Sequence, residues 1–284
     1  MREFPFDAGS VSLNVARGPI EGTPLVLLHG VTRCWQDFTP IFPALMARWQ
    51  VVAVDLRGHG GSGRVPPFYH VIDYVDDIVK LIRETFDEPA IVIGHSLGAM
   101  VAAAVAAKAP DRVKALVMED PTFAMTASRI GEGSFLDLFH AFQPLAGSDR
   151  PVAEIAHELA EARIFVPGSM EKARLGDLRN AVSLRFSASC LKRLDRDVLM
   201  SAIAGRWLEC YDVTATLRRI TCPTLMLQGD FACGGALPDD YAVEIASQIR
   251  ECLHIRMSRV GHNIHADQPE ALLRIVLPFL SSLE

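Results

Sequence analysis

The sequence predicts a doubly wound, mostly parallel α/β sheet with an inserted helical segment. Short runs rich in Val, Ile and Leu alternate with helical patterns up to residue 120, and the alternation resumes after residue 215. Residues 121–215 break this rhythm with patterns that all read as helical and contain no clear strand. We therefore expect one α/β core made of residues 1–120 and 216–284, with residues 121–215 forming a helical cap over the sheet.

The individual elements follow from the apolar patterns. Strand candidates occupy residues 24–30, 50–60, 89–96, 113–120, 222–230 and 251–257. Each is a short apolar run that ends at glycine or a polar side chain, which is typical of strands buried on both faces. Helix candidates occupy residues 36–49, 69–86, 102–113, 238–249 and 268–283. In parallel sheets of this kind ligands bind at the carboxyl ends of the strands, so the loops that follow the strands are the places to look for a site.

Composition narrows the function classes. The chain is 50% hydrophobic and 22% charged, which is ordinary globular composition, and its net charge of −6 disfavours nucleic acid or an anionic membrane as partner. We find no apolar run long enough to span a membrane and no signal-peptide core near the N-terminus, and therefore expect a cytoplasmic protein that acts on a small molecule. Whether it forms homo-oligomers is left open.

Metals and cofactors are not expected. The six cysteines are scattered without a Cys-x-x-Cys pair, and the histidines lack metal-ligand spacing. The segment RGHGGSG lacks the lysine of a phosphate-binding P-loop. We therefore predict no metal, no cofactor and reduced thiols.

The stretch VIGHSLGAM contains the strongest single motif. Gly94, Ser96 and Gly98 match the G-x-S-x-G nucleophile elbow at a strand-to-helix junction, where glycines relieve crowding around the serine. A serine needs a base, and His262 is the best placed because it follows the last predicted strand; His265 lies nearer the next helix, and His254 lies inside a strand.

Two further features complete the predicted site. The backbone amides of Val31 and Leu97 are the expected donors of an oxyanion hole. Aromatic side chains of the following loops and the cap are candidates for contact with the substrate: Trp35, Phe123, Phe139 and Trp207. Each of these could instead pack the protein interior, as most buried aromatic side chains do.

Together, LLHGVTRCW, VVAVDLRGHGGSG, VIGHSLGAM, TCPTLMLQGD and VGHNIHADQPEAL resemble the α/β-hydrolase superfamily, in particular capped, cofactor-free hydrolases related to esterases and bacterial haloperoxidases. The resemblance implies a nucleophile, an acid and a histidine in that chain order. The family's usual acid position falls on Ala232, so Asp230, directly after Gly229, becomes the first candidate. Asp120 or Glu119 is the alternative.

The predicted function is a serine hydrolase with a Ser-His-Asp triad that acylates Ser96. The preferred substrate is a small to medium, fairly apolar carboxylic ester. The same triad would serve a lactonase, a carbon–carbon bond hydrolase or a perhydrolase, and the sequence does not separate these. From another class, a slow-turnover ligand-binding signalling protein would keep the same residues.

Overall fold

The computed structural model describes residues 1–123, 134–169 and 171–283 of the chain. Its strands are β1 (Arg2–Asp7), β2 (Ser12–Arg17), β3 (Thr23–Leu28), β4 (Trp49–Val54), β5 (Ala90–His95), β6 (Val113–Glu119), β7 (Arg163–Phe165), β8 (Lys172–Arg174), β9 (Thr224–Gly229) and β10 (Cys252–Met257). Within the described residues, eight of these form one sheet in the order β1-β2-β4-β3-β5-β6-β9-β10. The pair β7 and β8 stands apart from it.

The sheet is mostly parallel, which confirms the predicted fold class. Within this sheet the neighbours in the run β4-β3-β5-β6-β9-β10 are all parallel, and only β1–β2 and β2–β4 are antiparallel. The chain leaves β3 for β4 on one side and then crosses to β5 on the other, so the strand order reverses between β3 and β5. Ligands bind at such a switch point in open α/β sheets, and the carboxyl ends of β5 and β6 lie beside it.

Helices cover both faces of the sheet. They are α1 (Phe42–Met46), α2 (Val71–Thr85), α3 (Leu97–Lys108), α4 (Ser134–Phe142), α5 (Val152–Glu161), α6 (Leu175–Leu178), α7 (Ala181–Lys192), α8 (Arg196–Ile203), α9 (Val213–Arg218), α10 (Asp239–Gln248), α11 (Ile264–Asp267) and α12 (Pro269–Ser281). Alternate residues of β3 show the two layers: Val26 and Leu28 pack with α2 and α3, whereas Leu25 and Leu27 pack with α1 and α12. No helix among the described residues is both long and apolar enough to cross a bilayer.

Residues 134–218, called here the inserted segment, lie between β6 and β9 and contribute no strand to the eight-stranded sheet in their described part. The prediction that this part of the chain is wholly helical was wrong at one place. Arg163–Phe165 pairs with Lys172–Arg174 as an antiparallel hairpin. Helix α5 ends at Glu161, and the chain turns through Gly168 at φ 71°, a conformation that favours glycine.

A buried ion pair fixes α2 to the loop after β4. The Nε and Nη2 atoms of Arg57 donate to the two carboxylate oxygens of Asp77, each at 2.7 Å, and both side chains are buried. Nη2 of Arg57 also donates to Ser10 Oγ at 2.9 Å. Because each charge is desolvated, loss of one partner would leave the other buried without compensation.

We expect Asp77→Asn to lower the free energy of unfolding by about 3–5 kcal/mol, because it leaves the Arg57 guanidinium buried and unpaired. Urea denaturation monitored by circular dichroism measures this loss. The matched control is Asp76→Asn, since the neighbouring Asp76 pairs with Lys108 at the surface and its loss should cost less than about 1 kcal/mol. Equal costs for the two variants would contradict the prediction.

Candidate active site

The site begins at the junction of β5 and α3, which is a single residue. β5 ends at His95, α3 begins at Leu97, and Ser96 between them has φ 54° and ψ −115°. A serine in this left-handed region is strained, so the surrounding contacts must hold it there. One such contact is the Ser96 amide, which donates to the backbone oxygen of Glu119 in β6 at 2.9 Å.

The two flanking glycines are required by close backbone contacts. A Cβ on Gly98 would overlap the backbone oxygen of Leu28, and a Cβ on Gly94 would overlap the backbone oxygen of Gly98. Both obstacles are backbone atoms, which cannot move aside as a flexible side chain can. The crowding around Ser96 that the motif predicts is therefore present in the structure.

His262 lies in the loop between β10 and α11 and pairs with Asp120. Its Nδ1 donates to Asp120 Oδ2 at 2.6 Å, and its backbone oxygen accepts from Nε2 of His95 at 3.0 Å. The Phe135 ring lies at 79° to the imidazole with a centroid separation of 5.0 Å. Asp120 and Phe135 thus hold the imidazole, and His95 holds the backbone of the same residue.

Backbone amides hold Asp120 in place. Directly after β6, this residue has φ 43° and no exposed surface. Its Oδ1 accepts from the amide of Gly229 at 3.0 Å, and its Oδ2 accepts from the amide of Ala236 at 2.7 Å. A Cβ on Gly229 would lie 3.2 Å from Oδ2, so the glycine that ends β9 gives the carboxylate room.

The structure does not bring Asp230, the first candidate for the acid, to His262. Its carboxylate accepts from the backbone amides of Arg259 at 2.9 Å and Ala232 at 3.2 Å, and from Nη2 of Arg256 at 3.1 Å. These contacts tie the loop after β9 to β10 and its following loop. The carboxylate that contacts His262 is the alternative, Asp120, on the neighbouring strand.

The two predicted oxyanion donors lie beside the serine. Leu97 is the first residue of α3, so its amide has no acceptor within the helix. Val31 follows Gly30, where an added Cβ would lie 3.2 Å from the Cβ of Ser96. The loop after β3 therefore passes directly over the elbow.

A cavity of about 910 Å³ is lined by Ser96, His262 and Val31 together. Two predicted substrate contacts, Phe139 and Trp207, line it as well. The other two do not: the indole Nε1 of Trp35 donates to Glu3 at 2.8 Å, and Phe123 is fully buried. Aromatic character alone did not show which rings face the cavity.

The sequence analysis missed two cationic residues of this cavity, Arg33 and Arg179. Arg33 lies within the stretch LLHGVTRCW, three residues after Gly30 in the loop that follows β3, and Arg179 directly follows α6 in the inserted segment. The position of Arg33 after a strand end was the one available signal, and no sequence pattern pointed to Arg179.

The comparisons with known proteins agree with this architecture. The model of the alpha/beta hydrolase fold family matches residues 23–269. The chain belongs to this family. The hydrolase is 29% identical to 2-(acetamidomethylene)succinate hydrolase of Mesorhizobium japonicum, covering 97% of this chain and 94% of the relative. It is 37% identical to lipase LipV of Mycobacterium tuberculosis, covering 86% and 98%. The crystal structure of the enol-lactonase from Burkholderia xenovorans LB400 superposes with a TM-score of 0.75 at 18% identity, covering 98% and 100%.

A second carboxylate–imidazole pair lies behind the site of the hydrolase. Nδ1 of His265 contacts both oxygens of Glu119, at 2.8 and 2.9 Å, and its Nε2 lies 3.2 Å from Asp37 Oδ2. Burial alone would lower the pKa of His265, but the charges of Glu119 and Asp37 outweigh it and raise the pKa to about 10. His265 is therefore a buried imidazolium at neutral pH, whereas burial holds the pKa of its neighbour His95 well below the usual value and keeps that ring neutral.

Among the described residues, Asp37, His95 and His265 form the set whose ligand atoms come within 4.8 Å of one another, as a metal site would require. In the structure Glu119, His265 and Asp37 form a buried network of opposite charges, and the neutral ring of His95 contacts the rings of both His265 and His262.

The raised pKa of His265 predicts that the free energy of unfolding falls as the pH rises. Its folded pKa of about 10 lies above the unfolded value near 6.5, so its contribution is fully present below about pH 6.5 and is lost as the pH rises through 10. Free energies of unfolding measured from pH 6 to 10 should fall more steeply in the wild type than in Glu119→Gln, which loses one of the charges that raise this pKa.

The control for this experiment is Glu88→Gln, which removes an exposed carboxylate and should keep the wild-type slope. The three proteins share all their tyrosine and cysteine side chains, so the comparison isolates the carboxylate that each variant removes. Parallel curves for the wild type and Glu119→Gln would overturn the prediction.

Proposed function

We propose that the hydrolase cleaves carboxylic esters through an acyl-enzyme on Ser96, with His262 as general base and Asp120 as the carboxylate that orients it. The observation that carries this proposal is the 2.6 Å pairing of His262 Nδ1 with Asp120 Oδ2, in a cavity that Ser96 also lines. Because Nδ1 donates to Asp120, the lone pair of Nε2 is free to take the proton of a serine hydroxyl.

In the proposed reaction Ser96 Oγ attacks the ester carbonyl while His262 Nε2 accepts its proton. The amides of Val31 and Leu97 stabilise the oxyanion of the tetrahedral intermediate. The protonated His262 then donates to the leaving alcohol, and an acyl-enzyme remains. Water, deprotonated by His262, attacks this ester and releases the acid.

The cavity supports a small to medium substrate with an apolar part. Its volume of about 910 Å³ lies within the range of small-molecule sites, and one part of its wall is formed by Phe135, Phe139, Ile164 and Trp207. All four belong to the inserted segment, which we propose acts as the cap. The relative named lipase LipV supports an ester as the bond that is cleaved.

Turnover of 4-nitrophenyl butyrate tests the proposal. We expect repeated turnover by the wild type and a loss of about 10⁴-fold or more in Ser96→Ala. Labelling by diethyl 4-nitrophenyl phosphate, followed by mass spectrometry, should modify Ser96 in the wild type and leave the variant unmodified. Circular dichroism of the variant controls for folding. A single slow burst without turnover would contradict the enzyme and favour a slow ligand-binding protein.

The identity of the acid gives a separate prediction. Asp120→Asn should lower kcat by about 10³- to 10⁴-fold, because the amide cannot hold the Nδ1–H tautomer of His262 or stabilise its protonated form. Asp230→Asn is the matched control and should lower kcat less than tenfold, since its contacts are with the backbone amides of Arg259 and Ala232 and with the Arg256 side chain. The reverse ranking of the two variants would assign the role to Asp230.

A further inference from the structure

One cationic side chain of the cavity, Arg179, has no ion-pair partner in the described part of the chain. Arg179 lines the same cavity as Ser96, and no carboxylate among residues 1–123, 134–169 and 171–283 lies within 4.0 Å of its guanidinium. Nearby Arg174 is different, because its guanidinium pairs with Glu161 and Asp177 at the surface. Arg179 thus presents an unpaired charge to the cavity.

Partial burial makes this charge costly. Arg179 is half-buried, and desolvation, followed by repulsion from Arg33, lowers its pKa to about 10 against the weaker attraction of Asp267 and Asp37. The guanidinium is still protonated at neutral pH, so the folded protein holds a positive charge in a place that water reaches only in part. A ligand anion would recover that cost, and the planar guanidinium pairs bidentately with carboxylates.

Arg33 and Asp267 are further charged side chains of the cavity. Arg33 lies 3.7 Å from Asp37 and donates to Ser187 Oγ at 2.9 Å, while Asp37 also contacts His265. Asp267 lines the cavity but makes no ion pair with Arg179 within 4.0 Å. Its negative charge disfavours a doubly charged anion in the same space, so a singly charged carboxylate fits better than a phosphate dianion.

We propose that the substrate of the hydrolase carries a free carboxylate that binds Arg179, a step that rests on the ester hydrolysis proposed above. The substrate class is then an ester with one acidic end, such as a half-ester of a dicarboxylic acid. Its apolar chain lies along the aromatic wall of the inserted segment, and its ester carbonyl lies at Ser96. Arg179 selects the substrate and takes no part in bond cleavage.

A matched pair of substrates tests this selection. 4-Nitrophenyl hydrogen glutarate carries the free carboxylate, and 4-nitrophenyl methyl glutarate has the same chain with that charge removed. We expect the wild type to favour the acid in kcat/KM by about 10-fold or more, and Arg179→Gln to reduce this ratio by about 10- to 100-fold, mainly through KM. Arg179→Lys should keep part of the preference, because it retains the charge without the bidentate fork.

Two further variants sharpen the test. Arg185→Gln removes the same charge from an exposed residue of α7 outside the cavity and should leave the ratio unchanged. Asp267→Asn removes a negative charge from the cavity and should raise the ratio. A ratio near one in the wild type, or an unchanged ratio in Arg179→Gln, would overturn the proposal.

Carboxylate binding and ester turnover can be measured independently of each other. Calorimetry should show that pentanoate, a singly charged carboxylate, binds to the wild type and to Ser96→Ala, and that binding is lost in Arg179→Gln. If Ser96→Ala kept its turnover, the assigned reaction would be wrong while pentanoate binding by Arg179 would still stand. If Ser96→Ala were inactive but pentanoate did not bind, the ester hydrolase would stand and the carboxylate selection would be wrong. Tighter binding of inorganic phosphate than of pentanoate would also count against the carboxylate.

Discussion

The site depends on two adjacent carboxylates where β6 ends, each of which holds a histidine. Successive residues at the end of a strand point to opposite sides, so Glu119 reaches His265 while Asp120 reaches His262. The two histidines are three residues apart, on either side of the start of α11. One strand end therefore fixes the loop after β10 from two directions, and a shift of that loop would break both pairs.

Glu119 also links this loop to the elbow. Its backbone oxygen accepts from the amide of Ser96, while its carboxylate contacts His265. The strained serine and the loop that carries His262 are thus attached to the same residue. This arrangement is stiff because Ser96, Glu119 and His265 are buried and hydrogen-bonded, and preorganised groups of this kind need little rearrangement during a reaction.

The sequence predicted what short-range patterns determine. The parallel strands, the elbow with Gly94 and Gly98, and the position of His262 after the last strand all follow from local apolar runs and turn residues. The partner of His262 does not, because it depends on how the loop from Asp230 to Ala236 folds across the sheet. The hairpin in the inserted segment and the unpaired guanidinium of Arg179 were missed for the same reason. Both depend on contacts between residues that are far apart in the sequence.

Two parts of the chain form the site. The strand ends supply Ser96, His262 and Asp120, whereas the inserted segment supplies the aromatic wall and Arg179. Because the segment enters and leaves between β6 and β9, its side chains can be changed without altering the strand ends beneath it. A change of substrate specificity therefore requires mutations in only one continuous stretch of the gene.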